Sequence, residues 1–180
     1  PPGAGKGTQA KNLVKKLNSF QVSTGDMLRA EIKKESDIGK KIINNMNEGK
    51  FVDDEIVNKL LENIIFDKNK KNKLIFDGYP RTLDQAKNLE ILLSKSNQKI
   101  DFIFFLNVNK DSIIKRIEKR KILEKRSDDK SETILKRYDT YMEITKPVLE
   151  YYLKNNNFHE IDGSMEIGNI SQKIEEILKV

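Results

Sequence analysis

The first eight residues, Pro1-Pro2-Gly3-Ala4-Gly5-Lys6-Gly7-Thr8, put three glycines, a lysine and a hydroxyl into one short stretch. Gly3, Gly5 and Gly7 let the backbone approach an anion closely and take positive φ angles. Consecutive N–H groups then converge with the N-terminus of a following helix on one point. Lys6 adds a mobile positive charge for outer phosphates, and Thr8 brings a hydroxyl towards the phosphates or their metal. The mechanism requires the loop to open a helix. Ala10, Leu13, Val14 and Leu17 supply one, falling at i, i+3, i+4 and i+7 from near Lys6. The leading Gly of the pattern would lie just before Pro1, and so would the buried strand that feeds the loop. The sequence therefore reads as starting inside the motif, an N-terminal fragment with ~8 apolar residues ahead of it, since a strand is about 5–6 residues plus its turn. The 180 residues alone are then expected to be poorly stable, because two neighbouring strands lose a partner.

The charges divide into two populations. Lys and Arg together number 34 against 28 Asp and Glu, a net charge of +6. The lysines are scattered, as at Lys15, Lys16, Lys33, Lys34, Lys70 and Lys71, which is the pattern of a solvated surface. They lack the interleaved aromatics of a nucleic-acid stripe. The arginines are only six: Arg29, Arg81, Arg116, Arg120, Arg126 and Arg137. Arg is required over Lys where phosphate is bound by a planar, bidentate fork. Arg116 and Arg120 are four apart and share a helix face. Asp77 ends the apolar run Leu74-Ile75-Phe76. A carboxylate at the C-terminal end of a buried strand, facing a phosphate loop, is suited to holding Mg²⁺ through its waters.

Other chemistries are excluded. There is no Cys, hence no disulfide and no thiolate metal site. His159 is the single His, which rules out a His-rich zinc or copper site and leaves little room for Ser–His catalysis. It reads as a structural or surface residue between apolar neighbours. No apolar run approaches the roughly 18 residues of a membrane span.

The elements that must position these groups alternate along one domain. Phe20–Ser23 reads as a short strand. Helix follows from Asp26 to about Asn47, broken near Asp37-Ile38-Gly39. Ile56, Val57, Leu60, Leu61 and Ile64 form an amphipathic helix capped by Asp53 or Asp54. Leu74–Phe76 and Phe102–Val108 read as buried strands, with helix over Leu83–Leu93 between them. A helix over Lys110–Lys121 and a polar link precede a long helix from about Lys130 to Leu153. Asp129 and Glu132 have capping-box spacing at its start, and Pro147 should kink it. Phe158–Ile161 is a last strand, and Ile170, Ile174 and Ile177 line a last helix. Strands separated by helices imply a parallel sheet covered on both faces.

Three further segments follow the loop in order: Ser23-Thr24-Gly25-Asp26-Met27-Leu28-Arg29; Asp77-Gly78-Tyr79-Pro80-Arg81-Thr82; and Arg126-Ser127-Asp128-Asp129 with Glu132 and Arg137. With these segments, over nearly its whole length, the chain resembles the adenylate kinase family of nucleoside monophosphate kinases. The resemblance implies an α/β fold, a P-loop NTPase-type parallel sheet flanked by helices, with its central first strand ahead of Pro1. It implies a core of 1–22, 53–119 and 130–180, an AMP-binding insert at 23–52 and a short lid at 120–129. It further implies reversible transfer of the γ-phosphoryl of Mg·ATP to AMP, giving two ADP.

Residue by residue, the resemblance assigns Gly3, Ala4, Gly5, Lys6, Gly7, Thr8, Arg116 and Met165 to ATP, and Asp77 to Mg²⁺ through water. Arg29 and Arg81 would grip the acceptor phosphate. Thr24 and Gln85 would contact the acceptor base, with Lys50, Phe51 and Val52 covering base and ribose. Gly78, Tyr79 and Pro80 would shape the turn that presents Arg81. Lys6, Arg81, Arg120, Arg126 and Arg137 would surround the transferring group, the last two also reaching AMP. Only five residues separate Arg120 from Arg126. That resembles the short-lid type rather than the long, zinc-binding lid of many bacterial members, so no zinc is expected. The short lid also looks like that of UMP/CMP kinases. Thr24 and the run Thr82-Leu83-Asp84-Gln85 favour AMP. A nucleotide-binding regulator without turnover is an alternative of another class; loss of Lys6 or Arg120 would favour it, and both are present. The expected partners are ATP and AMP, with no nucleic acid and no membrane, for a cytoplasmic monomer.

Overall fold

The computed structural model of the chain describes residues 1–124, 131–155 and 157–180. Helix α1 (Lys6–Leu17) leads to strand β1 (Phe20–Ser23). Helices α2 (Thr24–Lys33) and α3 (Asp37–Asn47) follow. The break between them falls at 34–36, just ahead of the expected Asp37–Gly39. Ser36 decides its place: its hydroxyl caps α3 by accepting from the Gly39 amide, so the new helix already starts at Asp37. Helix α4 (Asp54–Ile65) is capped by Asp53, one of the two expected caps.

Strand β2 (Leu74–Asp77), helix α5 (Leu83–Lys95), strand β3 (Ile103–Asn107) and helix α6 (Lys110–Glu124) come next. Helix α7 (Ser131–Thr140) runs through a π-helical segment, Tyr141–Thr145, into α8 (Lys146–Tyr152). The expected kink at Pro147 thus takes the form of a widened turn. Pro147 has no N–H and its ring crowds the preceding turn, and i→i+5 bonding absorbs both defects. The capping pair expected ahead of α7 involves Asp129, outside the described residues. Strand β4 (Phe158–Asp162) and helix α9 (Ile167–Leu178) end the chain.

The described strands pair in parallel, as their separation by helices requires. β1 pairs with β2, in the register Phe20 to Leu74 and Ser23 to Asp77. β3 pairs with β4, Ile103 to Phe158 and Asn107 to Asp162. One core packs α2, α3, α4 and α5 on the first pair, through Val22, Ile42, Leu61, Ile65 and Leu89. Another packs α6 and α9 on the second pair, through Leu106, Ile113, Ile117, Ile161 and Ile174. β2 and β3 are less buried than expected: each residue of β2 is partly exposed. Leu74–Phe76 of β2 and Ile103–Phe105 of β3 line a cavity. His159 stacks on Phe104 with ring centroids 5.7 Å apart, in keeping with a structural role.

Leu61 is fully buried at the centre of the first core. Leu61→Ala is expected to lower stability by about 2–5 kcal/mol, the range for a core leucine that leaves a cavity. Urea denaturation of parent and variant checks this; a loss below about 1 kcal/mol would mean the site collapses around the missing atoms.

Candidate active site

The phosphate loop is shaped by what its glycines lack. Gly5 caps α1 at φ 95° and Gly3 turns at φ 74°. A Cβ on Gly3 would stand 2.8 Å from Ile117 Cγ1, so the loop seats against α6 only without a side chain there. Gly7 departs from the expectation of a positive φ, because it already lies within the first turn of α1. Its bareness serves proximity instead. A Cβ on Gly7 would be 3.1 Å from Asp77 Oδ2. The carboxylate at the end of β2 therefore lies against the start of α1, and it also accepts from Gln21 Nε2 at 3.0 Å.

Lys6 folds back over the loop, its Nζ donating to the Pro1 carbonyl at 2.7 Å. Part of the side chain still meets solvent, yet its ammonium is largely desolvated. Burial pushes its pKa down to about 8; Arg81 and Arg120 push the same way, and Asp77 opposes them. Lys6, Asp77, Arg81 and Arg120 thus occupy one electrostatic neighbourhood. Desolvation, with neighbouring guanidinium groups, disfavours the Lys6 ammonium, a cost that a bound polyphosphate would relieve.

The other predicted residues arrange themselves around that point. Arg81 Nε donates to the Gly78 carbonyl at 2.7 Å, and its guanidinium lies 5.8 Å from the centroid of the Phe51 ring. Phe51 is thereby joined to the turn Gly78-Tyr79-Pro80. Arg29, on α2, pairs with Asp26 at 2.5 Å. Arg137, on α7, packs beside Gly49, where a Cβ would lie 3.2 Å from its Cγ. Thr133 of the same helix donates to the Asn47 carbonyl at 3.2 Å, so α7 rests on the end of α3. Arg116 Nη1 donates to the Ala4 carbonyl at 3.4 Å. It also helps to hold the Asp162 carboxyl below its usual range, where hydrogen bonds from Ser164 are the main cause. Arg116 is thus tied to the phosphate loop and lies within electrostatic range of Asp162. Thr8 is exposed on the first turn of α1.

Around the turn at Gly78, Thr24 Oγ1 donates to the Gly78 carbonyl at 3.0 Å. Tyr79 is buried with its hydroxyl 3.0 Å from Asn58 Oδ1, and burial raises its pKa to about 12. Gln85 is buried too; it accepts from the Arg81 amide at 2.7 Å and donates to Asp54 Oδ1 at 2.5 Å. One cavity of about 1550 Å³ is bordered by Lys6, Arg29, Arg81, Arg116, Arg120 and Arg137. Lys50, Phe51, Val52, Thr24 and Gln85 line it as well. Arg126 lies outside the described residues. Two polar residues of the site were not singled out for it from sequence: Gln21, which holds Asp77, and Asp54, which was read only as a helix cap. A lone Gln in a four-residue strand carries no signal, and a cap explains an Asp at a helix start without further cause.

Among the described residues no helix is long and apolar enough to cross a membrane. The family model described as adenylate kinase matches residues 1–157. An adenylate kinase of Pelagibacter ubique is 50% identical over 206 residues, covering 100% of this chain and 97% of that protein. One from Mycoplasma mycoides is 43% identical over 187 residues, with 89% and 87% covered. One from a Caulobacter species is 40% identical over 180 residues, with 100% and 95% covered. The parallel strands flanked by helices are the P-loop NTPase architecture of that family. On its sequence and on the cleft built around Lys6, the chain belongs to the adenylate kinase family, enzymes that move a phosphoryl group onto a nucleoside monophosphate.

Proposed function

We propose that the chain transfers the γ-phosphoryl of Mg·ATP to AMP, reversibly, giving two ADP. The observation that carries this reading is the gathering of Lys6, Asp77, Arg81 and Arg120 at the mouth of the glycine loop, close enough for each of the other three to act on the Lys6 ammonium. The bond from the γ-phosphorus to the bridging oxygen breaks, and an AMP phosphate oxygen forms the new one. The acceptor is already ionised, so no general base is required. What the loose, anionic transition state needs is positive charge held in place beforehand.

In this reading the loop amides and Lys6 hold the ATP phosphates, while Arg29 and Arg81 hold the AMP phosphate. Arg120, Arg126 and Arg137 stabilise the group in flight, and Arg116 and Met165 lie along the ATP base and ribose. Thr24, Gln85 and the segment Lys50–Val52 take the acceptor base and ribose. The insert 23–52 and the lid 120–129 close on the core and exclude water, which would otherwise accept the phosphoryl group. Among the described residues no group of three or more His, Asp or Glu could hold a metal. That suits Mg²⁺, which keeps most of its waters and binds through one or two carboxylates plus substrate phosphates. Asp77 is the residue that would hold it, and the ion would neutralise phosphate charge. The reading carries with it a monomer working in the cytoplasm.

A coupled assay offering AMP, UMP, CMP and GMP with Mg·ATP tests the acceptor. AMP should exceed each of the others in kcat/KM by about tenfold or more, the discrimination expected of a site built to hydrogen-bond one base. Faster turnover of UMP or CMP would make the chain a pyrimidine nucleotide kinase of the same fold.

A further inference from the structure

Gln85 is not held as an ordinary buried amide. Its Oε1 accepts from the Arg81 backbone N–H at 2.7 Å, and its Nε2 donates to Asp54 Oδ1 at 2.5 Å. Neither partner can change its role. A backbone N–H only donates, and an ionised carboxylate only accepts. Turning the amide over would set N–H against N–H and oxygen against carboxylate, leaving two unsatisfied pairs at a buried site. The orientation of the amide is therefore decided by its partners.

We infer that Asp54 is a specificity-determining positioning residue: with the Arg81 amide it locks Gln85 so that the acceptor base meets one fixed acceptor and one fixed donor. This rests on the reading of AMP as the acceptor. Each of Gln85's two polar atoms has one hydrogen-bonding position left, a lone pair on Oε1 and an N–H on Nε2. Adenine complements that pair, because its 6-amino group donates and a ring nitrogen accepts. A 6-oxo purine of nearly the same size presents a carbonyl where the amino group was, and it would meet the Gln85 oxygen head-on. Thr24 follows the same logic. Its hydroxyl proton is committed to the Gly78 carbonyl, so on this cavity-lining residue the hydroxyl oxygen is left as an acceptor. Asp54 thus supplies the repulsive half of the discrimination without touching the nucleotide.

The test compares AMP with IMP as acceptors, using Mg·ATP and the full chain. The parent should favour AMP strongly. In Asp54→Asn an amide that can donate or accept replaces the obligate acceptor, so a turned Gln85 is opposed at the Arg81 N–H alone rather than at both partners. The AMP-to-IMP ratio of kcat/KM should then fall by roughly tenfold, with most of the change in KM for the acceptor. Asp54→Ala should move the ratio the same way. Asp54→Glu keeps a carboxylate at the start of α4 and should hold the ratio within about threefold of the parent. A role confined to supporting α4 would scale AMP and IMP together and lower the melting temperature without moving their ratio. If Asp54→Asn does not fold, the contrast between the Ala and Glu variants decides. A parent that does not prefer AMP to IMP overturns both the AMP reading and the lock. A parent that does, with the ratio unchanged in the Asn and Ala variants, overturns the lock alone.

Discussion

Lys6→Met is expected to lower kcat by about a thousandfold or more, the scale of removing a principal charge from a phosphoryl-transfer site. Met preserves the aliphatic length and the helix propensity at the start of α1, so the charge is the main loss. The fold should not suffer. In the free protein the Lys6 ammonium is desolvated and sits beside Arg81 and Arg120, which brings its pKa down to about 8 from an ordinary 10.5. Below pH 8 that charge is a cost to the folded chain. Between 8 and 10.5 the unfolded lysine binds a proton that the folded one does not, so this group's contribution to stability rises with pH across that window. Removing the charge removes the cost, and Lys6→Met should melt at or above the parent temperature at pH 7. The same imbalance predicts proton uptake. Polyphosphate restores the ammonium, so nucleotide binding at a pH of about 8.5 to 9 should draw a proton from the buffer. Calorimetric titration in two buffers of different ionisation enthalpy reads this directly; the uptake should vanish near neutral pH and in the variant. A variant retaining more than about a tenth of parental kcat would remove Lys6 from the centre of the chemistry.

The groups proposed to carry charge to the phosphates were legible in the sequence because their types are unusual in their surroundings. Six arginines stand out in a Lys-rich chain, and a Gly-Lys-Gly run at the mouth of an amphipathic helix has few structural uses. Helix α1 and strand β1 match their expected positions for the same reason: the 3.6-residue spacing of Ala10, Leu13, Val14 and Leu17 and the turn beyond it admit little else. Hidden were features set by neighbours distant in sequence. Gly7 needs to be bare because Asp77 lies against it, 70 positions away, a contact no local pattern announces. Gln85 could be assigned to the base from the motif, but which way its amide points depends on Asp54. Leu74–Phe76 have the composition of a buried strand, yet their exposure depends on what lies beside β2, which composition does not record. The π-helical turn before Pro147 belongs to the same class. A proline predicts a disturbance, but not that it is taken up as a π-helical turn.

Arg120→Ala is expected to cut kcat by about a hundred- to a thousandfold while both substrate KM values move by less than about threefold. The geometry of α6 separates Arg120 from its neighbour one turn earlier. Ile113 and Ile117 are fully buried against the second core, which fixes the rotation of the helix. Arg116 and Arg120, one turn apart on that helix, both border the cavity. Arg116 reaches the Ala4 carbonyl and influences Asp162, on the side of the segment that carries Met165. Arg120 instead shares the field of Lys6 with Arg81. An interaction made alike with bound ATP and with the transition state changes KM; one that strengthens as the phosphoryl group leaves changes kcat. Arg116→Ala should therefore raise the KM for ATP with little change in kcat, the opposite split from Arg120→Ala. Arg120→Lys should recover little, because an ammonium cannot present the parallel donors of a guanidinium to two oxygens at once. Steady-state kinetics at saturating ATP and AMP, paired with calorimetric affinities for each nucleotide, measures both splits. Should Arg120→Ala act entirely through KM, Arg120 would be a ground-state binding group, and stabilisation of the phosphoryl group in flight would fall to Arg81, Arg126 and Arg137.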